Sequence, residues 1–174
     1  MKINALNSNA YLTFLLTRIA LLSALLCSAP AIFASTTPHY LPEVTDFRSL
    51  AKEARQKQIP IVVLFMSESC HFCEVVLSDF LVPMYMDPEY DNKVILRQVE
   101  ITSHDLLIDF DGSMTTHSKY ASRLQVWGVP QVYFFDSHGH ILNKIAGLLT
   151  QDYYGVYLDE AIDAAIAQIR NSRK

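Results

Sequence analysis

The feature that most constrains this chain is the run "IPIVVLFM", Ile59 to Met66, followed at once by "SESCHFCEVV". A continuous stretch of β-branched and aromatic residues suits a strand buried on both faces, and such a strand needs helices packed above and below its sheet. It leads into Cys70-His71-Phe72-Cys73, and "CEVVLSDFLV" then carries no glycine or proline before Pro83. Val76, Phe80 and their apolar neighbours can line one face of a helix there. The cysteine pair is therefore expected where a central strand turns into a helix.

The flanking segments alternate in the same way. From Thr45 to Lys57 the residues Phe47, Leu50, Ala51 and Ala54 recur with helical spacing, with Thr45 or Asp46 as N-cap. "KVILRQVEI" reads as a second strand, "SKYASRLQV" as a short helix, and "QVYFFD" with "HILNKIAG" as a hairpin joined through Asp136 to Gly139. Leu158, Ile162, Ala165, Ile166 and Ile169 mark a last helix, with Arg170, Arg173 and Lys174 near its negative end. Helices and strands in this order imply an α/β fold, a mixed central sheet flanked by helices.

The N-terminal part lies outside that argument. Met1 to Ala34 has the layout of an export signal, with Lys2 and Arg18 ahead of the apolar run "IALLSALLCSAPAIFA" and no acidic residue before Glu43. The expected division is 1–34 as a signal peptide and 35–174 as one domain. A cut after Ala31 competes with one after Ala34, and an uncleaved anchor is the alternative, with Arg18 costly in its middle. Export places the protein in the periplasm or outside the cell, or on the membrane if the anchor stays. The net charge of −4 leaves no basic stripe for phosphates, so nucleic acid is not an expected partner.

Several uses of the cysteine pair can be weighed. A c-type haem anchor needs histidine after the second cysteine, where Glu74 stands. A structural zinc site needs further ligands, and His39, His104, His117, His138 and His140 show no partner cysteines. His138 and His140 bracket a turn glycine and read as solvated turn residues. A staple gains little from so short a loop. Asp105, Asp109 and Asp111 lack the spacing of a calcium loop, and a turn at Asp111-Gly112 between two short extended pieces accounts for them better. Tyr153, Tyr154 and Tyr157 read as cover for the core or for a groove edge. A dithiol at a helix start has a chemical reason to be there, because unpaired N–H groups stabilise the thiolate of the first cysteine. Cys70 is then the attacking sulfur and Cys73 the resolving one.

Together with "VWGVPQVYFF", in which Gly128-Val129-Pro130 precedes a strand, the pair makes the sequence resemble the thioredoxin superfamily over essentially all of 35–174. The resemblance implies a thioredoxin-like fold, with Pro130 as a cis-proline facing the dithiol and Val129 offering its backbone to an extended substrate segment. "LIDFDG", "KYASRLQVWGVPQVYFFDSHG" and "YYGVYLDEAI" are similar to exported thioredoxin-like proteins of the SoxW type. The implied activity is thiol–disulfide exchange with cysteine-containing exported proteins, a reductase fed by a membrane electron donor slightly ahead of an oxidase or isomerase, with no metal or organic cofactor. The alternatives are a redox-inactive binding module on the same fold and a copper or other metal carrier using Cys70 and Cys73.

The departures from thioredoxin matter. Ser69 stands where thioredoxin has tryptophan, His71-Phe72 replace Gly-Pro, and Leu64 occupies the place of the buried aspartate that moves a proton to the second cysteine. Glu68 is the nearest acid in sequence to take that role, and His71 can donate to the Cys70 thiolate or lie exposed. His71, Phe72 and Glu68 are thus the residues expected to tune the site. The loss of the acid and the added histidine favour a lower Cys70 pKa than thioredoxin's, with a potential between roughly −270 mV and roughly −120 mV.

Overall fold

The computed structural model describes residues 40–148 and 150–172. The expected export signal, its cleavage site, Cys27, His39, Arg173 and Lys174 lie outside the described residues. Among the described residues no helix is long and apolar enough to cross a membrane.

Helix α1, Phe47–Lys57, begins where Asp46 accepts hydrogen bonds from the backbone N–H groups of Arg48 (2.8 Å) and Ser49 (3.3 Å), so Asp46 is the N-cap. It ends at Gln58, whose φ of 58° is left-handed. Pro60 has no N–H to give to a ladder, and strand β1 accordingly runs Ile61–Met66, shorter than the apolar run that announces it. All of β1 is buried.

Strand β2, Ile95–Glu100, lies parallel to β1; β5, Gln131–Phe135, lies antiparallel on its other side, followed by β6, Ile141–Ala146, in the order β2-β1-β5-β6. A separate hairpin joins β3, Leu106–Ile108, to β4, Met114–Thr116. Its turn carries Gly112 at φ +90°, the position foreseen at Asp111-Gly112. Asp105 accepts from Ser103, Asp109 pairs with Arg123, and Asp111 accepts from the Ser113 N–H. The mixed sheet flanked by helices is the fold class expected.

The alternation of β1 divides the core. Val62, Leu64 and Met66 pack with Cys73, Val76, Leu158 and Ile162 on one face. Ile61, Val63 and Phe65 pack with Phe47, Leu50, Ala54 and Tyr120 on the other. Helix α4, His117–Arg123, caps its N-terminus with Thr116 and supplies Tyr120. The last helix, α5, runs Tyr154–Asn171 after a 3₁₀ turn. Tyr154 is fully buried, whereas Tyr153 is 60% and Tyr157 38% exposed, so the tyrosine cluster splits between core and surface.

The helix after the cysteines does not stop at Pro83. Helix α2, His71–Val76, passes through a π-helical turn, Leu77–Leu81, into α3, Val82–Met86. The Val82 N–H reaches back to the Leu77 carbonyl. A proline ring inside a regular helix collides with the carbonyl four residues earlier, here Asp79; the wider turn just before Pro83 relieves that collision and lets the helix continue.

Candidate active site

The loop between β1 and α2 closes with the Cys70 N–H on the Ser67 carbonyl at 3.0 Å. Cys70 is the N-cap of α2: its backbone is extended, and its carbonyl accepts from the N–H groups of Cys73 (3.0 Å) and Glu74 (3.2 Å). Its sulfur also accepts from the Cys73 N–H at 3.1 Å. The two cysteines form a disulfide, with their Cα atoms 5.2 Å apart. Cys70 is half-buried, while Cys73 is fully buried among the side chains of the β1 face. One turn of helix thus presents one sulfur to solvent and hides the other, an arrangement suited to attack by the first and resolution by the second.

The residues expected to tune the pair lie around it on the surface. Glu68 and His71 are exposed, and Phe72 is 60% exposed. The His71 ring is tilted against Phe72, with centroids 6.0 Å apart, and among the described residues it makes no hydrogen bond to sulfur. A groove bordered by Tyr40, Met66, Glu68, Cys70 and Glu74 runs past the half-buried Cys70, so Glu68 and Glu74 share it with the first cysteine.

Because β5 is antiparallel to β1, with Gln131 opposite Phe65, the loop before β5 and the dithiol loop emerge at the same end of the sheet. The Val129-Pro130 peptide bond is cis. Pro130 is buried, and its carbonyl accepts from the Gly147 N–H at 2.8 Å. Val129 is half-buried and touches both core clusters, one of which also carries Cys70. Among the described residues, the N–H and C=O of Val129 have no hydrogen-bond partner.

Two further residues here escaped the sequence reading. Trp127 is 77% exposed three places before Pro130; its signal was an isolated large aromatic beside a glycine. Glu100 is 8% exposed and stands opposite Met66 in the parallel register, which puts it on the same sheet face as Leu64, Met66 and Cys73. Its Oε1 accepts from the Thr102 N–H (3.1 Å) and hydroxyl (2.7 Å), and its buried Oε2 has no partner among the described residues. Strand register, which the sequence does not display, was needed to find it.

No curated protein matches the chain. Among solved structures it is similar to one reported for the thiol resolving mechanism of yeast mitochondrial 1-Cys peroxiredoxin via glutathione/thioredoxin systems, at 17% identity, covering 69% of this chain and 93% of that one, with a TM-score of 0.45. It is also similar to oxidised mitochondrial thioredoxin 3 of Saccharomyces cerevisiae, at 16% identity, covering 71% of this chain and 93% of that one, with a TM-score of 0.46. The family model described as a thioredoxin-like domain matches residues 47–162, from the first residue of α1 into α5. The chain belongs to the thioredoxin-like domain family.

Proposed function

We propose that this protein is a thiol–disulfide oxidoreductase acting on cysteine-containing exported proteins. The observation that carries the reading is the unequal pair: a half-buried Cys70 sulfur held by a backbone N–H at 3.1 Å, bonded to a fully buried Cys73. In the reducing direction the Cys70 thiolate attacks one sulfur of a substrate disulfide, and the other substrate sulfur leaves and takes up a proton. Cys73, having given up its own proton, then attacks the Cys70 sulfur and expels the second substrate thiolate, which is protonated in turn. Two electrons have passed to the substrate, and the Cys70–Cys73 disulfide remains to be reduced by a membrane donor. Oxidation is the same sequence reversed.

The Val129 backbone, without a hydrogen-bond partner among the described residues, supports docking of an extended substrate segment as a short added strand, with Pro130 shaping that edge. The sequence likeness to SoxW-type exported proteins supports ranking reductase slightly ahead of oxidase or isomerase, and the export-signal layout of residues 1–34 supports a periplasmic or extracellular protein, or a membrane-anchored one if that segment stays. Reductive cleavage of insulin disulfides, followed by turbidity with dithiothreitol as electron source, tests the activity. Turnover lost in Cys70→Ser supports it. Wild-type protein no faster than dithiothreitol alone refutes it and leaves the redox-inactive binding module, while tight copper binding by the reduced dithiol together with absent turnover favours the metal carrier.

A further inference from the structure

The β5–β6 turn stands at the opposite end of the sheet from the dithiol. β1 and β5 run antiparallel with Ile61 opposite Phe135, so the residues after Phe135 emerge beside the start of β1, whereas Cys70 follows its end. At a strand rise of ~3.3 Å per residue the turn is roughly 20 Å from the cysteines.

Three ligand-type side chains converge on this turn. Asp136, His138 and His140 each offer one atom, and all three atoms lie within 4.8 Å of one another. The Oδ1 atom of Asp136 accepts the backbone N–H groups of His138 (2.7 Å) and His140 (2.9 Å). That fixes the carboxylate and aims Oδ2 at both rings: it lies 2.9 Å from His140 Nδ1 and 3.6 Å from His138 Nδ1. The ring centroids are 5.9 Å apart with an interplanar angle of 32°. Among the described residues neither histidine has a further partner at Nδ1, and both rings are exposed.

The backbone beneath is rigid. Gly139 has φ +84°, and a Cβ there would lie 2.8 Å from the Phe110 ring, so only glycine fits. Phe110 stacks on Phe47 at 4.4 Å and packs against Phe135 at 5.7 Å, which ties the turn to the core. The Asp136 N–H to His140 carbonyl bond (3.0 Å) closes the turn.

We propose that Asp136, His138 and His140 form a binding site for a borderline divalent transition metal, Zn²⁺ or Cu²⁺, separate from the dithiol. Imidazole nitrogen and carboxylate oxygen are the donors such ions take in proteins. Tetrahedral coordination at ~2.0–2.2 Å puts neighbouring donors about 3.3 Å apart, and the observed separations of 2.9 and 3.6 Å lie on either side of that value. A carboxylate pre-oriented through its second oxygen is the outer-shell arrangement that stabilises metal centres. Three protein ligands leave the remaining positions to water or to a group from a partner molecule.

The test is calorimetric titration of the untagged, fully oxidised full chain with ZnCl₂, because the disulfide withdraws Cys70 and Cys73 as ligands. One equivalent is expected to bind saturably. His138→Ala and His140→Ala each weaken it by at least about tenfold, comparable with or larger than the effect of removing an outer-shell partner, and the double variant loses saturable binding. Asp136→Asn keeps the Oδ1 hydrogen bonds and removes the charge, and it weakens binding in a folded protein. Electron paramagnetic resonance of the Cu²⁺ form is expected to show nitrogen coupling that His140→Ala reduces. Absence of saturable binding, or binding of equal strength in the double histidine variant, overturns the proposal. Either result leaves the redox reading untouched, since insulin turnover by the metal-free protein is measured separately.

Discussion

The sharpest consequence of the site geometry is an inequality between two single-cysteine proteins. In Cys73→Ser the residue-73 N–H remains and still points at the Cys70 sulfur, now free to ionise. A hydrogen bond to a charged acceptor is worth about 1.5–3 kcal/mol, which raises an ionisation constant by roughly 10- to 150-fold. Glu68 and Glu74 border the same groove and oppose the thiolate, weakly because they are exposed and screened by water and salt. A net gain of about tenfold in thiolate is the working figure. In Cys70→Ser the remaining thiol is fully buried, does not accept that N–H, and sits in an apolar setting that disfavours a thiolate and shields it from reagent. Access and ionisation together make Cys70 react at least ~100-fold faster than Cys73.

The assay is iodoacetamide alkylation at pH 7 in a Cys27→Ala background, so that one thiol is counted in each protein. In parallel, Cys73→Ser is mixed with a disulfide substrate, and covalent complexes are read on non-reducing gels. Complexes are expected with Cys73→Ser and not with Cys70→Ser. Equal alkylation rates, or equal trapping, would refute the assignment of roles, because the difference in burial and hydrogen bonding would then have no chemical effect.

His71→Ala is expected to change the exchange rate by no more than about threefold, since among the described residues the ring makes no hydrogen bond to sulfur and it is exposed to screening solvent; a loss beyond tenfold in a stopped-flow assay would restore it as a thiolate donor. Arg123→Met leaves Asp109, 6% exposed, without its ion-pair partner and is expected to lower the urea-unfolding free energy by about 1–3 kcal/mol, below the ceiling for a buried pair because Arg123 is itself half exposed. Tyr154 is buried, which pushes its pKa up to about 12, and its hydroxyl has no partner among the described residues. Tyr154→Phe is therefore expected to hold or raise stability at pH 7 by up to about 1 kcal/mol. With the folded pKa above the ordinary ~10, the tyrosine's contribution is complete below pH ~10 and lost as pH rises towards 12, so the variant should lack that part of the alkaline transition in a circular-dichroism titration.

Features governed by local chemistry were legible in the sequence. The all-apolar run located β1, Thr45 or Asp46 marked a helix start, and Asp111-Gly112 located a turn between two extended pieces, because each depends on neighbours in the chain. The cysteine pair was legible because its spacing and its place after a buried strand are both sequence properties. Features that depend on how elements meet were not. Pro83 marked only the end of the stretch free of glycine and proline, and the π-turn that carries the helix past it depends on how successive turns stack. His138 and His140 looked like ordinary turn residues because the convergence of both on one Asp136 oxygen requires the turn itself. The electrostatic expectation for Cys70 rested on His71 and on the missing acid; the structure leaves His71 facing solvent and sets two carboxylates on the same groove, which narrows the margin by which the thiolate is favoured.

The missing acid leads to the last prediction. Leu64 fills the position from which a buried aspartate serves the second cysteine in thioredoxin, and exposed Glu68 was the substitute suggested by proximity in sequence. The register gives a better one. On β2 the neighbours of Leu64 and Met66 are Gln98 and Glu100, both buried and both on the dithiol face of the sheet. Gln98 is committed to the Leu41 N–H at 3.1 Å, whereas Glu100 keeps Oε2 free of any partner among the described residues. A buried carboxyl oxygen left without a hydrogen-bond partner costs about 1–3 kcal/mol, and such unsatisfied groups call for an explanation, a catalytic role among them. Proton transfer from Cys73 during resolution, through a water if the gap requires one, is a use that fits its face. Glu100→Gln retains the acceptor for Thr102 and the volume while removing the basic oxygen, so thermal stability should hold and the first attack by Cys70 should keep its rate. Resolution of a preformed mixed disulfide, followed by quenched-flow and mass spectrometry, should slow about tenfold or more, with partial recovery in Glu100→Asp, in line with the usual 10²–10⁴ contribution of a positioned base. Unchanged resolution in a folded Glu100→Gln protein would mean that Glu100 only holds the turn at Thr102 and that Cys73 loses its proton directly to solvent.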